Sequence, residues 1–128
     1  MENRELMYLA KNAKQKSYSP YSKFKVGAAL LTKDGKIYVG ANIENSSYPL
    51  TVCAERVAFF KAISEGEKEF EKIAISGSSD DFCFPCGACR QVMSEFCGKD
   101  FVIILENGKE IKNFTLGELL PYSFKLDK

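Results

Sequence analysis

A pair of short cysteine motifs constrains the fold of this chain more than any other feature. Thiolate sulfur is a preferred zinc ligand, and three protein ligands that leave the fourth position open form a catalytic arrangement. Because one ion can bind three thiolates only if they converge, we expect both segments to meet at one site. The motifs are Cys53-Ala54-Glu55 and Pro85-Cys86-Gly87-Ala88-Cys89.

The chain contains no His. The usual general base and the commonest nitrogen ligand of a metal are therefore absent. Any catalysis by this chain is expected to use carboxylates, thiolates and a metal ion. Glu55, two residues after the first cysteine, is the candidate proton carrier.

Apolar residues at helical spacing follow both motifs. The first run extends from Cys53 to the region of Gly66, and the second extends from Cys86 to Gly98. The positive end of a helix dipole stabilises thiolate over thiol. The spacing therefore predicts that the cysteines of both motifs, and Glu55 with them, lie at helix starts, where metal binding is favoured.

Three thiolates around a zinc ion carry a net negative charge, so we expect a cation beside the ligands. Arg56 and Arg90 directly follow the two motifs. A guanidinium that donates a hydrogen bond to a ligand sulfur would offset this charge without binding the metal itself. We expect Arg56 to fill this role before Arg90.

Cys83 leaves an alternative open. It could complete a closed four-cysteine zinc site, which would be structural rather than catalytic, or form a redox pair with Cys86. The cysteines of the motifs could also be buried reduced thiols. Cys97 is expected to be a helix residue without chemistry.

The rest of the chain predicts an α/β fold. Helices alternate with strands after an opening hairpin, which indicates a mixed sheet covered by helices in a single domain spanning residues 1–128. A Thr115–Glu118 capping box predicts a last short helix. The predicted first helix covers residues 4–15, and the predicted strands cover 24–31, 37–41, 73–77, 101–105 and 110–114.

The charge balance excludes several classes of partner. Lys plus Arg number 18 and Asp plus Glu 17, so the net charge of +1 offers no attraction for nucleic acid. No apolar run approaches the roughly 20 residues that a membrane span needs. The five cysteines are an odd number and cannot all pair, which does not suit the disulfide framework of a secreted protein. Residues 1–5 also lack the basic-then-apolar order of a secretory signal. We therefore expect a cytoplasmic protein.

The cysteine motifs resemble the signature of zinc nucleoside deaminases. The similarity is specifically to cytidine deaminases of the small, three-cysteine, homotetrameric type. It extends over residues 19–29, 42–45, 48–50 and 119–124, and so covers nearly the whole chain. This resemblance implies a three-layer α-β-α sandwich with a mixed, roughly five-stranded sheet and one zinc ion per chain.

The resemblance also implies an activity. Cytidine and deoxycytidine would be hydrolysed to uridine and deoxyuridine with release of ammonia, as in pyrimidine salvage. Zinc-bound hydroxide would attack C4 of cytosine while Glu55 moves the protons. The metal ligands would be Cys53, Cys86 and Cys89.

Substrate contacts are implied by the same similarity. Asn42 and Glu44 would bind the ribose hydroxyls, Phe24 would pack against the nucleoside, and the Ala54 backbone would orient the base. Neighbouring subunits of a homotetramer would complete the site with Ser46, Tyr48 and Phe124.

Two other functions remain open at the level of sequence. A related deaminase could act on blasticidin S or deoxycytidine monophosphate, but a nucleotide would need a cationic phosphate clamp, and residues 42–48 contain no Lys or Arg. A noncatalytic zinc module, closed by Cys83, is the alternative from a different class.

Overall fold

Five strands form one mixed sheet in the computed structural model, which describes residues 1–128. The strands are β1 (Val26–Thr32), β2 (Ile37–Ala41), β3 (Phe70–Gly77), β4 (Val102–Glu106) and β5 (Ile111–Thr115). Their order across the sheet is β2-β1-β3-β4-β5. Only β3 and β4 pair in parallel, and the other neighbours are antiparallel. The predicted mixed, five-stranded sheet is confirmed.

Four α-helices cover the two faces of this sheet. They are α1 (Asn3–Ala13), α2 (Ala54–Ser64), α3 (Gly87–Phe96) and α4 (Leu116–Leu119). Short 3₁₀ turns follow α1 at Lys14–Lys16 and precede α2 at Tyr48–Leu50. The longest helices have 11 residues, and none is long and apolar enough to cross a membrane.

Separate clusters of buried side chains hold the helices against the sheet. On one face, Leu6 and Met7 of α1 pack with apolar residues of β1, β3 and β4. On the other, Phe59 of α2 and Met93 of α3 belong to the larger cluster. Residues of β4 alternate between the two clusters, so this strand is buried on both faces as its apolar run predicts. The helices and sheet therefore form three layers.

A close approach of α2 to β2 brings the first cysteine motif onto the sheet. A Cβ at Gly40 would lie 2.6 Å from the Ala54 carbonyl oxygen and 2.7 Å from the Ala58 nitrogen. Such distances are well inside van der Waals contact, and backbone atoms cannot swing aside as a flexible side chain can. Glycine at position 40 is therefore required for the first turn of α2 to lie where it does.

Only β2 has the predicted bounds; β4 and β5 are each shifted by one residue, and the largest differences are at the starts of β1 and β3. β1 begins at Val26 rather than at residue 24, because the Lys25 amide donates to Ser78 Oγ (2.7 Å) instead of joining the ladder. β3 begins at Phe70, before the predicted residue 73, and pairs with Thr32 past a register shift. The charged Glu71 and Lys72 interrupt the apolar run from which β3 was predicted.

The capping box of α4 is confirmed. The Glu118 amide donates to Thr115 Oγ1 (3.2 Å), and the Thr115 amide donates to Glu118 Oε1 (2.9 Å).

Candidate active site

Two cysteines occupy equivalent positions at the starts of α2 and α3. Cys53 and Cys86 are the N-cap residues of these helices, and both have extended backbone angles. Neither thiol caps its own helix, although an N-cap Ser or Asp usually would. Both sulfurs are therefore free to face each other, and their separation is 3.7 Å.

Cys89 completes a group of three. It lies in the first turn of α3 and is buried, and the Sγ atoms of Cys53, Cys86 and Cys89 all lie within 4.8 Å of one another. Tetrahedral zinc with Zn–S bonds of about 2.3 Å requires sulfurs about 3.8 Å apart. The donor set and its spacing therefore fit one zinc ion per chain.

Cys53 and Cys89 hold their protons with different strength. The pKa of Cys53 is lowered to about 5, chiefly by hydrogen bonding with Cys89 and additionally by the Arg56 guanidinium. The pKa of Cys89 is raised, chiefly because it holds its proton toward Cys53 and then because it is buried. The centre therefore carries negative charge at neutral pH, which suits a cation.

Glu55 lies in the first turn of α2, beside this centre. It is only 4% exposed. Burial raises the pKa of its carboxyl to about 7, with a smaller upward contribution from Cys53. A carboxyl that exchanges its proton near neutral pH is suited to general acid–base work.

The two candidate arginines have different surroundings. Arg56 Nη2 donates to Cys53 Sγ at 3.4 Å, and the pKa of Arg56 is raised chiefly by this bond. Its Nε is buried without a hydrogen-bond partner. Arg90 instead donates to the carbonyl oxygens of Pro85 and Leu119, both at 2.7 Å. Arg90 therefore links the turn before Cys86 to the end of α4 and forms no hydrogen bond to a cysteine sulfur.

The remaining cysteines lie outside the group of three. Cys83 is half-buried, and burial raises the pKa of its thiol to about 11. Cys97 is half-buried at the end of α3, and burial raises its pKa to about 12. All five cysteines are free thiols. The set that converges is the one with three ligands, and not the four-cysteine set that includes Cys83.

Asn42 and Glu44 are held in place by the segment before β1. Asn42 Oδ1 accepts from the Val26 amide (2.9 Å) and from Ser17 Oγ, while its Nδ2 donates to the Phe24 carbonyl (2.9 Å). Glu44 Oε1 accepts from the Tyr21 and Ser22 amides at 3.0 and 3.1 Å. Both side chains are therefore fixed before any substrate arrives.

Capacity for further hydrogen bonds remains on both residues. Asn42 has one Nδ2 proton free, although its oxygen is saturated. Glu44 Oε2 accepts only from Ser22 Oγ, and this hydroxyl is the chief reason that the pKa of Glu44 is lowered. Glu44 can therefore accept a further hydrogen bond, and Asn42 can donate one.

A cavity of about 390 Å³ borders Glu44. It contains none of the three clustered cysteines. Its lining residues are Tyr21, Ser22, Glu44, Asn45, Tyr48 and Thr51.

The other predicted substrate contacts differ in exposure. Ala54 is buried at the first position of α2 and Phe24 is partly exposed. Ser46 Oγ hydrogen-bonds the Tyr21 hydroxyl at 2.5 Å. Tyr48 and Phe124 are 74% and 68% exposed. One chain therefore does not bury the aromatic residues that were predicted to bind substrate.

Sequence reasoning did not identify the residues that orient this site. Ser17 and Ser22 lie between the predicted first helix and the predicted first strand, and their hydroxyls bind Asn42 and Glu44. The concentration of serines in residues 17–22 was the available signal, because Ser hydroxyls commonly bind nearby polar groups in turns.

Comparison with known proteins agrees with this geometry. Residues 1–105 match the family described as the cytidine and deoxycytidylate deaminase zinc-binding region. The chain is 49% identical to a cytidine deaminase from Sporosarcina psychrophila, covering 97% of this chain and 92% of that protein. It is 50% identical to a cytidine deaminase from Halalkalibacterium halodurans, covering 97% and 95%.

A solved structure shares the fold. The crystal structure of cytidine deaminase from Burkholderia pseudomallei superposes with a TM-score of 0.92 at 46% sequence identity, and the match covers 97% of this chain and all of that chain. The resemblance inferred from the motifs and the predicted three-layer fold are both confirmed.

Proposed function

Because the chain belongs to the cytidine and deoxycytidylate deaminase family, we propose that it hydrolyses cytidine and deoxycytidine to uridine and deoxyuridine, releasing ammonia. The observation that carries this proposal is the convergence of three cysteine sulfurs beside the buried carboxyl of Glu55. Cys53, Cys86 and Cys89 would hold the zinc ion. When bound, zinc supplies the Lewis acidity that makes water nucleophilic at neutral pH.

Glu55 carries the protons in this mechanism. Its carboxylate accepts a proton from the attacking water, and the water oxygen bonds to C4 of the cytosine ring. Glu55 delivers that proton to N3 of the ring, and then takes the proton of the new C4 hydroxyl and gives it to the exocyclic nitrogen. The bond between C4 and that nitrogen breaks, ammonia leaves and the C4 carbonyl forms. A pKa near 7 allows the same carboxyl group both to accept and to donate a proton at neutral pH.

The proposed ribose contacts use the hydrogen-bonding capacity that remains free on Glu44 and Asn42. Glu44 Oε2 accepts from one ribose hydroxyl, and the second Nδ2 proton of Asn42 is donated to another. The Ala54 amide is one of the first-turn donors that no carbonyl of α2 satisfies, so it is available to the base. Phe24 packs against the bound nucleoside.

Other copies of the chain complete the site in this proposal. Tyr48 and Phe124 are exposed, and Ser46 hydrogen-bonds Tyr21, which lines the Glu44 cavity together with Tyr48. In a homotetramer, these residues of neighbouring chains would lie beside the metal centre of a given chain. Residues 1–128 form one deaminase domain in this arrangement, acting in pyrimidine salvage in the cytoplasm, where free thiols persist.

Substrate comparison tests the proposal. Purified zinc-loaded protein is assayed by ultraviolet absorbance with cytidine, deoxycytidine, cytosine, deoxycytidine monophosphate and blasticidin S, alongside metal analysis. We expect turnover of both nucleosides at one zinc ion per chain. A stoichiometric zinc protein that turns over no cytosine nucleoside would refute the proposal and support the noncatalytic zinc module.

Arg56→Gln should retain zinc and lower kcat. The substitution removes the guanidinium bond to Cys53 Sγ and leaves the excess charge of three thiolates uncompensated. Loss of an outer partner of a metal site typically costs about 10- to 100-fold in metal affinity or activity. The measurement is kcat at saturating zinc, and Arg4→Gln, which removes an exposed guanidinium, is the matched control. Equal kcat for both variants would contradict the role of Arg56.

Phe124→Ala should raise KM for cytidine while the oligomer stays intact. Base–aromatic stacking contributes about 1–3 kcal/mol, so the expected rise is about 5-fold or more. Leu126→Ala, which truncates an exposed residue of the same tail, is the control. Light scattering of both variants separates a lost contact from lost assembly. An unchanged KM with an intact oligomer would exclude the stacking contact.

A further inference from the structure

Two side chains meet above the last residue of β3, which is Gly77. A Cβ at Gly77 would lie 2.9 Å from Cys83 Cβ, 3.0 Å from Cys83 Sγ and 3.1 Å from Phe24 Cζ. Optimal contact between carbon atoms is about 3.5–4.0 Å. The Cys83 thiol and the tip of the Phe24 ring therefore occupy space that any other side chain at position 77 would fill.

The backbone at Gly77 is anchored from both sides. Gly77 pairs with Val26 of β1, and its carbonyl oxygen accepts from Lys14 Nζ at 3.0 Å. The next residue, Ser78, bonds both the amide and the carbonyl of Lys25, at 2.7 and 2.9 Å. An added methyl group at position 77 could not be relieved by moving the strand. The displacement would fall on Phe24 and Cys83.

Cys83 connects this point to the metal centre. It lies in the loop that leads to Cys86, and it packs against the same buried cluster as Cys53. The tip of the Phe24 ring therefore lies close both to the end of β3 and to the segment that carries a proposed zinc ligand. Phe24 has no hydrogen-bonding side chain, so packing contacts such as these determine where its ring lies.

We propose that Gly77 and Cys83 are positioning residues that fix the Phe24 ring for nucleoside binding. The bare Cα of Gly77 admits the ring tip, and the Cys83 thiol limits its movement from one side. This inference rests on the proposed function, in which Phe24 packs against the substrate. Neither residue touches the reacting atoms, so both act on binding and not on the proton transfers of Glu55.

The test is a double-mutant cycle between positions 77 and 24. Gly77→Ala should raise KM for cytidine about 5-fold or more while kcat and zinc content stay near wild type, which is the pattern of binding lost equally in the ground state and the transition state. The dissociation constant of uridine, measured by calorimetry, should rise in parallel. In a Phe24→Ala background, Gly77→Ala should have no further effect on either constant.

Two further variants keep the test decisive. Gly98→Ala is the matched control, because a Cβ there meets no atom within 4 Å, and its KM and melting temperature should equal wild type. Cys83→Ala removes the thiol without adding volume, so it tests the same contact if Gly77→Ala does not fold. It should raise KM by a smaller factor, retain zinc, and lose its effect when Phe24 is Ala.

The outcomes separate this inference from the proposed function. Wild-type protein that does not turn over cytidine would contradict the proposed function. An active wild type whose KM is unchanged by both Gly77→Ala and Cys83→Ala would overturn only the positioning role. If the fold-increase in KM caused by Gly77→Ala were the same with and without the Phe24 ring, the positioning role would also be overturned. The substitution would then act on binding independently of Phe24.

Discussion

Replacing Glu55 with Gln is expected to lower kcat for cytidine by about 10²- to 10⁴-fold, the range that a positioned general acid–base contributes. Gln keeps the size of the side chain but cannot accept and return a proton. Glu55 is almost wholly buried, so bulk water cannot readily replace it. Single-turnover and steady-state rates at saturating cytidine measure the loss.

Zinc analysis accompanies this measurement. Because the three sulfurs are untouched, Glu55→Gln should bind as much zinc as wild type. Glu65→Gln is the matched control, since it makes the same change at an exposed position at the end of α2. Near-wild-type turnover by Glu55→Gln would show that another group carries the protons.

Cys89→Ala is expected to abolish both zinc retention and turnover. Cys89 is the buried member of the three-sulfur group, and two remaining thiolates cannot fill the protein side of a catalytic zinc site. The melting temperature should fall as well, because a metal that binds the folded state stabilises it. The measurements are zinc content after dialysis against a chelator, thermal unfolding and turnover.

Cys97→Ala provides the control for Cys89→Ala. Its sulfur lies at the far end of α3 from Cys86, outside the group of three, so zinc and activity should persist. The remaining cysteine, Cys83, distinguishes two ligand sets. Stoichiometric zinc in Cys89→Ala together with zinc loss in Cys83→Ala would replace the proposed set with one that includes Cys83.

Local patterns in the sequence predicted the helices well. The helix starts at Cys53 and Cys86 followed from apolar residues at helical spacing, which depends only on neighbours within a turn or two. The hairpin of β1 and β2 followed from the Asp34-Gly35 turn for the same reason. The strand order could not be predicted, because pairing between β1 and β3 joins residues that are far apart in the chain.

The surroundings of individual side chains needed the tertiary structure. Arg56 and Arg90 each directly follow their motif in the sequence. Arg56 nevertheless donates to a cysteine sulfur, whereas Arg90 donates to backbone carbonyls. Their difference arises from what lies opposite each helix face. The hydrogen bonds of Ser17 and Ser22, which orient Asn42 and Glu44, likewise cross between segments and leave no periodic signal.

The sequence by itself determined the donor types and their placement at helix starts: three thiols, one carboxylate and no imidazole. It also carried the family resemblance. Only the tertiary structure decided that three sulfurs converge without Cys83, that Arg56 faces them, and that Phe24 and Cys83 share the space above Gly77. Residue types and local spacing are properties of the covalent chain, whereas distances between segments exist only once sheet register and helix packing bring those segments together.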